Sequence, residues 1–274
     1  MRILISADME GVSGVVHTTE TNPDKYDYAR GRALMTAEVN AVIDGVLEAQ
    51  PDADVLVADA HGPFRNIITE DLDRRVRLVR GRPRPLGMLG GLDESTDAVM
   101  FVGYHARAGA GPAVLAHTMS DGVLSARMNG RTFGEIGFNA AMAGHHGAPV
   151  ALIAGDDAAC AELAELSPDT VAVPVKEALG QAAAVTLHPA VARERLRAGA
   201  IEATRRAAEI TPFRIWGPVT LEMDVWGATV DLATLVPGVE RLPGGRTISF
   251  TARDLPEAYR VMLLIVTLGQ VPHR

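Results

Sequence analysis

Five short apolar runs, at residues 3–7, 55–58, 76–79, 98–102 and 150–154, punctuate the first 154 positions of the chain. They carry β-branched residues and are too short for helices, so they predict buried strands. Helical patterns lie between several of them. One begins at Asp24, a candidate cap, and runs to about Ala49, with Pro51 beyond its end. Strands alternating with helices favour a largely parallel sheet covered on both faces. With 274 residues, 47% of them apolar and few aromatic, the chain can bury a sizeable core. Its wealth of Ala, Val, Leu and Gly suits helices packed on a sheet. The expected fold is therefore a three-layer α/β/α arrangement around a mostly parallel central sheet.

Later segments read differently. Residues 124–133 form two short alternating runs around Asn129-Gly130, a pair that accepts the positive φ angles of a tight hairpin. A helix from Gly134 to His146 follows, with Glu135 in its first turn, and another begins at Asp156 after Gly155. Pro189 suits the first turn of a helix reaching about Glu209. Residues 219–226 alternate apolar and polar, residues 247–251 look like their strand partner, and a closing helix spans 255–269. This pattern predicts residues 1–190 as the α/β domain that carries the chemistry and 191–274 as a smaller C-terminal α+β lobe.

Charge and cysteine usage narrow the function. The net charge is −8 and no Lys/Arg-rich run occurs, which argues against nucleic acid as a partner. The single cysteine, Cys160, excludes an intrachain disulfide and favours a cytoplasmic location. No stretch approaches the ~20 apolar residues of a membrane span. The apolar run at the N-terminus is too short for a signal-peptide core and ends in acids.

Four segments place a metal-competent side chain just past a strand or in a nearby turn. They read Ser6-Ala7-Asp8-Met9-Glu10-Gly11, Ala58-Asp59-Ala60-His61-Gly62, Gly103-Tyr104-His105-Ala106-Arg107 and Gly134-Glu135-Ile136-Gly137. Parallel strands bring their carboxyl ends to one edge, where ligands bind in open α/β sheets. Asp8, Glu10, His61, His105 and Glu135 would converge there. Two imidazoles and three carboxylates suit zinc, manganese or iron better than calcium. Five ligands are too many for one catalytic zinc, which keeps a position open for water. A carboxylate can bridge two ions through its two oxygens, and Asp8, in the middle of the set, is the natural bridge. Taken singly, each residue has an ordinary reading: turn-capping acids, hydrogen-bonded turn histidines, and an acid complementing a helix dipole. Their joint placement at strand ends is what points to a two-metal hydrolase.

Other residues compete for roles. Asp59 could orient a ligating histidine or merely end its strand. His117, in Leu115-Ala116-His117-Thr118-Met119, could return on a loop as a general acid/base or remain on the surface. His145-His146 suits a helix end, and Asp156 and Asp157 suit a helix cap. His17, His188 and His273 have no spacing that argues for ligation. No Gly-x-Ser-x-Gly elbow, Walker loop, Gly-x-Gly-x-x-Gly fingerprint or His-Glu-x-x-His pair occurs, which weighs against serine-hydrolase, nucleotide-binding and ordinary zincin readings.

These motifs, with His117-Thr118-Met119, Phe138-Asn139-Ala140 and Ala154-Gly155-Asp156-Asp157, resemble in order and spacing the zinc-dependent, DppA-like D-aminopeptidase family. The similarity extends over nearly the whole chain, and the Ser-x-Asp-x-Glu-Gly start is its most specific element. The resemblance implies two zinc ions per subunit with Asp8 bridging. It implies that Glu10 and His61 complete one ion's ligands, that His105 and Glu135 complete the other's, and that His117 is the catalytic residue. It further implies removal of an N-terminal D-residue such as D-Ala from short peptides, and a ring-like homo-oligomer, a decamer. Two other readings stand beside it. One is a dinuclear hydrolase of other amides or of phosphoesters, with Arg107 as the candidate cation. The other is a non-catalytic peptide-binding protein linked to dipeptide transport.

Overall fold

The computed structural model describes residues 1–270. In chain order its elements are β1 (Arg2–Ala7), α1 (Thr18–Thr21), α2 (Tyr28–Ala49), β2 (Asp54–Asp59), β3 (Arg77–Val79), β4 (Ala98–Tyr104), β5 (Val123–Met128), β6 (Arg131–Thr132), α3 (Glu135–His145), β7 (Val150–Asp156), α4 (Asp157–Ala164), β8 (Val171–Gly180), β9 (Ala183–Thr186), α5 (Pro189–Arg206), β10 (Val219–Val225), α6 (Thr229–Ala233), β11 (Val239–Arg241), β12 (Thr247–Ala252) and α7 (Leu255–Gly269).

The central sheet runs β3-β2-β1-β4-β7-β8-β9, parallel except for β9. β1 is apolar along nearly its whole length because both of its faces are covered. Successive side chains alternate between the two faces. Ile3, Ile5 and Ala7 enter a core shared with Val39 and Val42 of α2 and with Leu196 and Ala200 of α5. Leu4 points the other way, into a core shared with α3, α7 and a second sheet. The α/β architecture with a mostly parallel central sheet is as the alternation of strands and helices requires.

The second sheet is antiparallel, in the order β11-β12-β10-β5-β6. β10 is buried at alternate positions, with Leu221, Met223 and Val225 inward and Glu222 and Asp224 outward, where both pair with Arg127. The β5–β6 hairpin turns at Asn129 and Gly130, whose φ angles are 51° and 78°. This sheet joins strands from both sides of residue 190, and α5 packs its Gly199–Ala200 surface against the main core. The expected division at that residue therefore does not follow the sheets. The segment is instead woven into both layers.

One local expectation is corrected, and two details are added. Asp24 does not cap the long helix: α2 starts at Tyr28, and Asp27 at its cap position makes no side-chain cap bond. The helix from Pro189 ends its regular turns at Arg206 and tightens over Ala207–Glu209. β8 and β9 were not foreseen at all. Among the described residues, no helix is long and apolar enough to cross a membrane.

The strand order reverses between β2-β1 and β4-β7. Each of β2 and β4 lies beside β1, in register from Ile3↔Val55 and Ile3↔Ala98. Such a reversal opens a crevice at the carboxyl ends of the strands, the usual binding position in open α/β sheets.

Candidate functional site

Asp8, His61 and His105 each follow the end of one of these three adjacent strands. The backbone fixes their spacing. The Asp8 N–H donates to Val102 O at 2.8 Å, Gly11 N–H to Gly103 O at 2.8 Å, and Ala60 N–H to Ala7 O at 2.7 Å. A Cβ on Gly11 would lie 2.0 Å from Tyr104 O, and one on Gly103 would lie 2.2 Å from Asp8 O. Only glycine permits that approach. Glu135 arrives from the first turn of α3.

The five side chains meet. His61 Nδ1 stands 3.0 Å from Glu10 Oε2 and 3.2 Å from Asp8 Oδ1. His105 Nε2 stands 3.5 Å from both Asp8 Oδ2 and Glu135 Oε1. The two oxygens of Asp8 thus face two different imidazoles. All five residues are buried, none more than 9% exposed.

Backbone carbonyls set the histidine tautomers. His61 Nε2 lies 2.8 Å from Thr21 O, and His105 Nδ1 lies 3.0 Å from Ala106 O. A carbonyl only accepts, so these nitrogens carry the protons and leave His61 Nδ1 and His105 Nε2 facing the carboxylates. That is how ligating histidines are held in metal sites. Asp8 Oδ2 and His105 Nε2 are buried without a hydrogen-bond partner. Buried polar atoms seldom stay orphaned, and a shared cation would satisfy both. The donor set and these orphaned atoms fit a pair of divalent ions.

Electrostatics agree. Burial, then the charge of Glu10, pushes Asp8 up to about 7. Burial also works to raise Glu10, but the His61 charge and hydrogen bond outweigh it and hold that carboxyl well below its usual range. Burial would lower both histidines. Glu10 and Asp8 around His61, and Glu135 and Asp8 around His105, raise them well above 6.5 instead.

His117 joins the second half. Its ring stacks on His105 with centroids 4.1 Å apart and an interplanar angle of 15°. Its Nε2 lies 3.6 Å from Glu135 Oε1, and its Nδ1 lies 2.9 Å from Leu115 O. Leu115 and Met119 both take left-handed backbone angles, with φ of 51° and 63°. Such strain at non-glycine residues needs a surrounding structure that compensates it. Here the Met119 N–H donates to Glu135 Oε1, tying the loop to the cluster.

The remaining candidates have structural tasks. Asp59 accepts hydrogen bonds from the backbone of Asn66 and Ile67 and from the Asn66 amide, which in turn donates to His61 O. It orders the turn behind His61 rather than the imidazole itself. Arg107 donates from its backbone to Glu162 and does not line the cavity at the site. His17 and His188 cap helix starts, Asp156 caps α4, and His145 closes α3. Cys160 is buried, and burial pushes its thiol up to about 12. His273 lies outside the described residues.

Lys176 is a residue the sequence reading missed. Its buried Nζ donates to the carbonyls of Glu10, Val12 and Val15, and burial draws it down to about 8. Glu38 accepts from Ser13 N–H, and Glu20 accepts from the N–H groups of Val16 and His17. The loop that carries Glu10 is clamped from behind at residues 10, 12, 13, 15, 16 and 17.

A cavity of about 610 Å³ opens on the cluster and is walled by α7 and the segment around residues 82–88. Asp8, His61, His117 and Glu135 line it.

Comparison with known proteins finds similarity over nearly the whole chain. A model of the D-aminopeptidase family matches residues 1–264. A D-aminopeptidase of Bacillus subtilis (strain 168) is 35% identical over 270 residues, covering 98% of either chain. A solved structure of the zinc-dependent D-aminopeptidase DppA from Bacillus subtilis, described as a self-compartmentalizing protease, covers 100% of both chains with a TM-score of 0.96 at 34% identity.

Proposed function

The chain belongs to the D-aminopeptidase family, and from that premise we propose that it is a zinc-dependent aminopeptidase that removes an N-terminal D-residue, such as D-Ala, from short peptides. The observation that carries this reading is the division of Asp8, one oxygen toward His61 and the other toward His105. Asp8, Glu10 and His61 would hold one zinc ion, and Asp8, His105 and Glu135 the other. A metal pair held by these residues would supply polarisation of a substrate carbonyl and a water made nucleophilic near neutral pH.

The chain's own groups supply the rest. His117 Nδ1 donates to Leu115 O, so its Nε2 is free to accept a proton on the cavity wall. That nitrogen takes a proton from water and returns it to the departing amine. Phe64, Met88 and Met119 give the cavity apolar walls that limit water around the scissile bond. The relative described as self-compartmentalizing supports a homo-oligomer, which we take to be a ring-shaped decamer with its sites facing an inner chamber. We place the protein in the cytoplasm.

The test is an assay of D-Ala and L-Ala amides, with and without zinc, on the purified protein and on His61→Ala, alongside metal analysis. The expected result is two ions per chain, preference for the D-amide, and loss of activity in the variant. Full activity in His61→Ala or in zinc-free protein would refute the assignment.

A further inference from the structure

The cavity contains two guanidinium groups that the reaction does not use. Arg82 and Arg84 line it together with Phe64. Arg84 is fixed: it donates to the carbonyls of Asp59, Val79 and Gly87, and its guanidinium lies 4.3 Å from the Phe64 ring centroid. Arg82 lies 6.0 Å from the same centroid and is exposed; among the described residues its side chain is bonded only to the Gln270 side chain, at 3.0 Å. Among the described residues neither forms a salt bridge. The nearby Asp59 carboxylate is occupied by Asn66 and Ile67. The acids that do line the cavity, Asp8 and Glu135, belong to the metal cluster.

Two guanidiniums that have, among the described lining residues, no acid besides those of the metal cluster fit an anionic ligand group. Phe64 connects the two features, because its N–H donates to His61 O at 2.8 Å while its ring carries both guanidiniums. The charges therefore sit one turn and one side chain from a metal ligand. From the scissile carbonyl of a di- or tripeptide to its carboxyl end is one or two residues, roughly 3.5–7 Å when extended. With its scissile carbonyl at the cluster, its free carboxyl end would run along the shared cavity toward the guanidiniums. The alkyl walls between would contact the intervening backbone and side chain.

We infer that Arg82, backed by the fixed charge of Arg84, docks the C-terminal carboxylate of the substrate, so that the enzyme selects di- and tripeptides with a free carboxyl end. This rests on the aminopeptidase reading. Arg presents paired N–H donors that match a carboxylate, and such charge-assisted contacts are about twice as strong as neutral ones. The subsite also sets length, since a longer chain would carry its carboxylate past Arg82.

The experiment compares D-alanyl-glycine, its C-terminal amide and D-alanyl-aspartic acid amide on the full chain. The last peptide has a carboxylate only on its side chain. The expected wild-type kcat/KM favours the free acid over its amide by about 10- to 100-fold. That ratio falls toward one in Arg82→Gln and is partly kept in Arg82→Lys. A ratio that survives in Arg82→Gln overturns the inference. So does an aspartic acid amide that matches the free acid and loses the advantage with Arg82, because the subsite would then read a side chain. Calorimetric titration of the first two peptides into zinc-free protein gives a reading independent of turnover. If no peptide is cleaved, the aminopeptidase reading fails. Tighter binding of the free acid, lost in Arg82→Gln, still establishes the carboxylate subsite, and equal binding of acid and amide removes it.

Discussion

His61 and His105 are both buried imidazoles held from behind by a backbone carbonyl, yet they meet their carboxylates differently. His61 closes on Glu10 and Asp8 at 3.0 and 3.2 Å, within hydrogen-bond distance. His105 stands 3.5 Å from Asp8 and Glu135, and its Nε2 has no hydrogen-bond partner. The supports differ as well. The Glu10 loop is clamped by Lys176, Glu38 and Glu20. The His105 half is flanked by His117, whose loop depends on two left-handed non-glycine residues. One half of the site is thus a rigid anchor, and the other is a more open half that faces the chemistry with His117 on its wall.

Removing the residue common to both halves should erase the contrast. Asp8→Asn keeps the shape but weakens the bridge. The expected result is loss of both ions and a fall in kcat/KM of about a thousandfold or more, since each 1.4 kcal/mol of lost carbonyl polarisation is about tenfold in rate. Metal analysis beside kinetics checks it, and retention of two ions would show that the halves do not share this carboxylate.

His117 sharpens the contrast from the open side. His117→Asn should lower kcat by about 10²- to 10⁴-fold, the usual contribution of a general acid/base, while both ions stay bound. If zinc content drops by one ion per chain, His117 is a ligand of the open half instead.

The smallest effect is a pH dependence. In the metal-free protein the folded-state pKa values of His61 and His105 are raised, so their ion-pair stabilisation is complete below about 6.5 and is lost as pH rises through the folded values. Zinc needs those protons gone. The increase in Tm given by zinc should therefore grow between pH 6 and pH 8. An increment that is flat over that window would mean that the imidazoles are already neutral.

Much of the candidate site was legible because it lies at strand ends. Asp8, His61 and His105 follow β-branched apolar runs, and the parallel order of those strands brings their ends together. What was not legible has physical causes. Val171, Val173 and Val175 alternate as a strand should, but Pro174 interrupts them, and a proline argues against a central strand. Here it is exposed on β8, ahead of the point where pairing with the edge strand β9 begins at Lys176. Lys176 left one trace, a lysine in an apolar run of a chain poor in lysine. Its three carbonyl partners lie more than 160 positions away. Arg82 and Arg84 sit in a Gly/Pro-rich loop that reads as ordinary surface. The pairing of β5 with β10 crosses residue 190, and hydrophobic pattern carries no record of partners so distant.

The glycines at 11, 103 and 155 bear on how this scaffold can change. A Cβ at any of them would lie within 2.0–2.2 Å of a carbonyl oxygen of a neighbouring segment. One added methyl group would act as a wedge, prying apart the chain segments that set the gap between the imidazoles. Substitutions on the cavity walls escape that constraint, because side chains there can be exchanged without moving the frame, so substrate preference could change while the spacing of the centre stays constant.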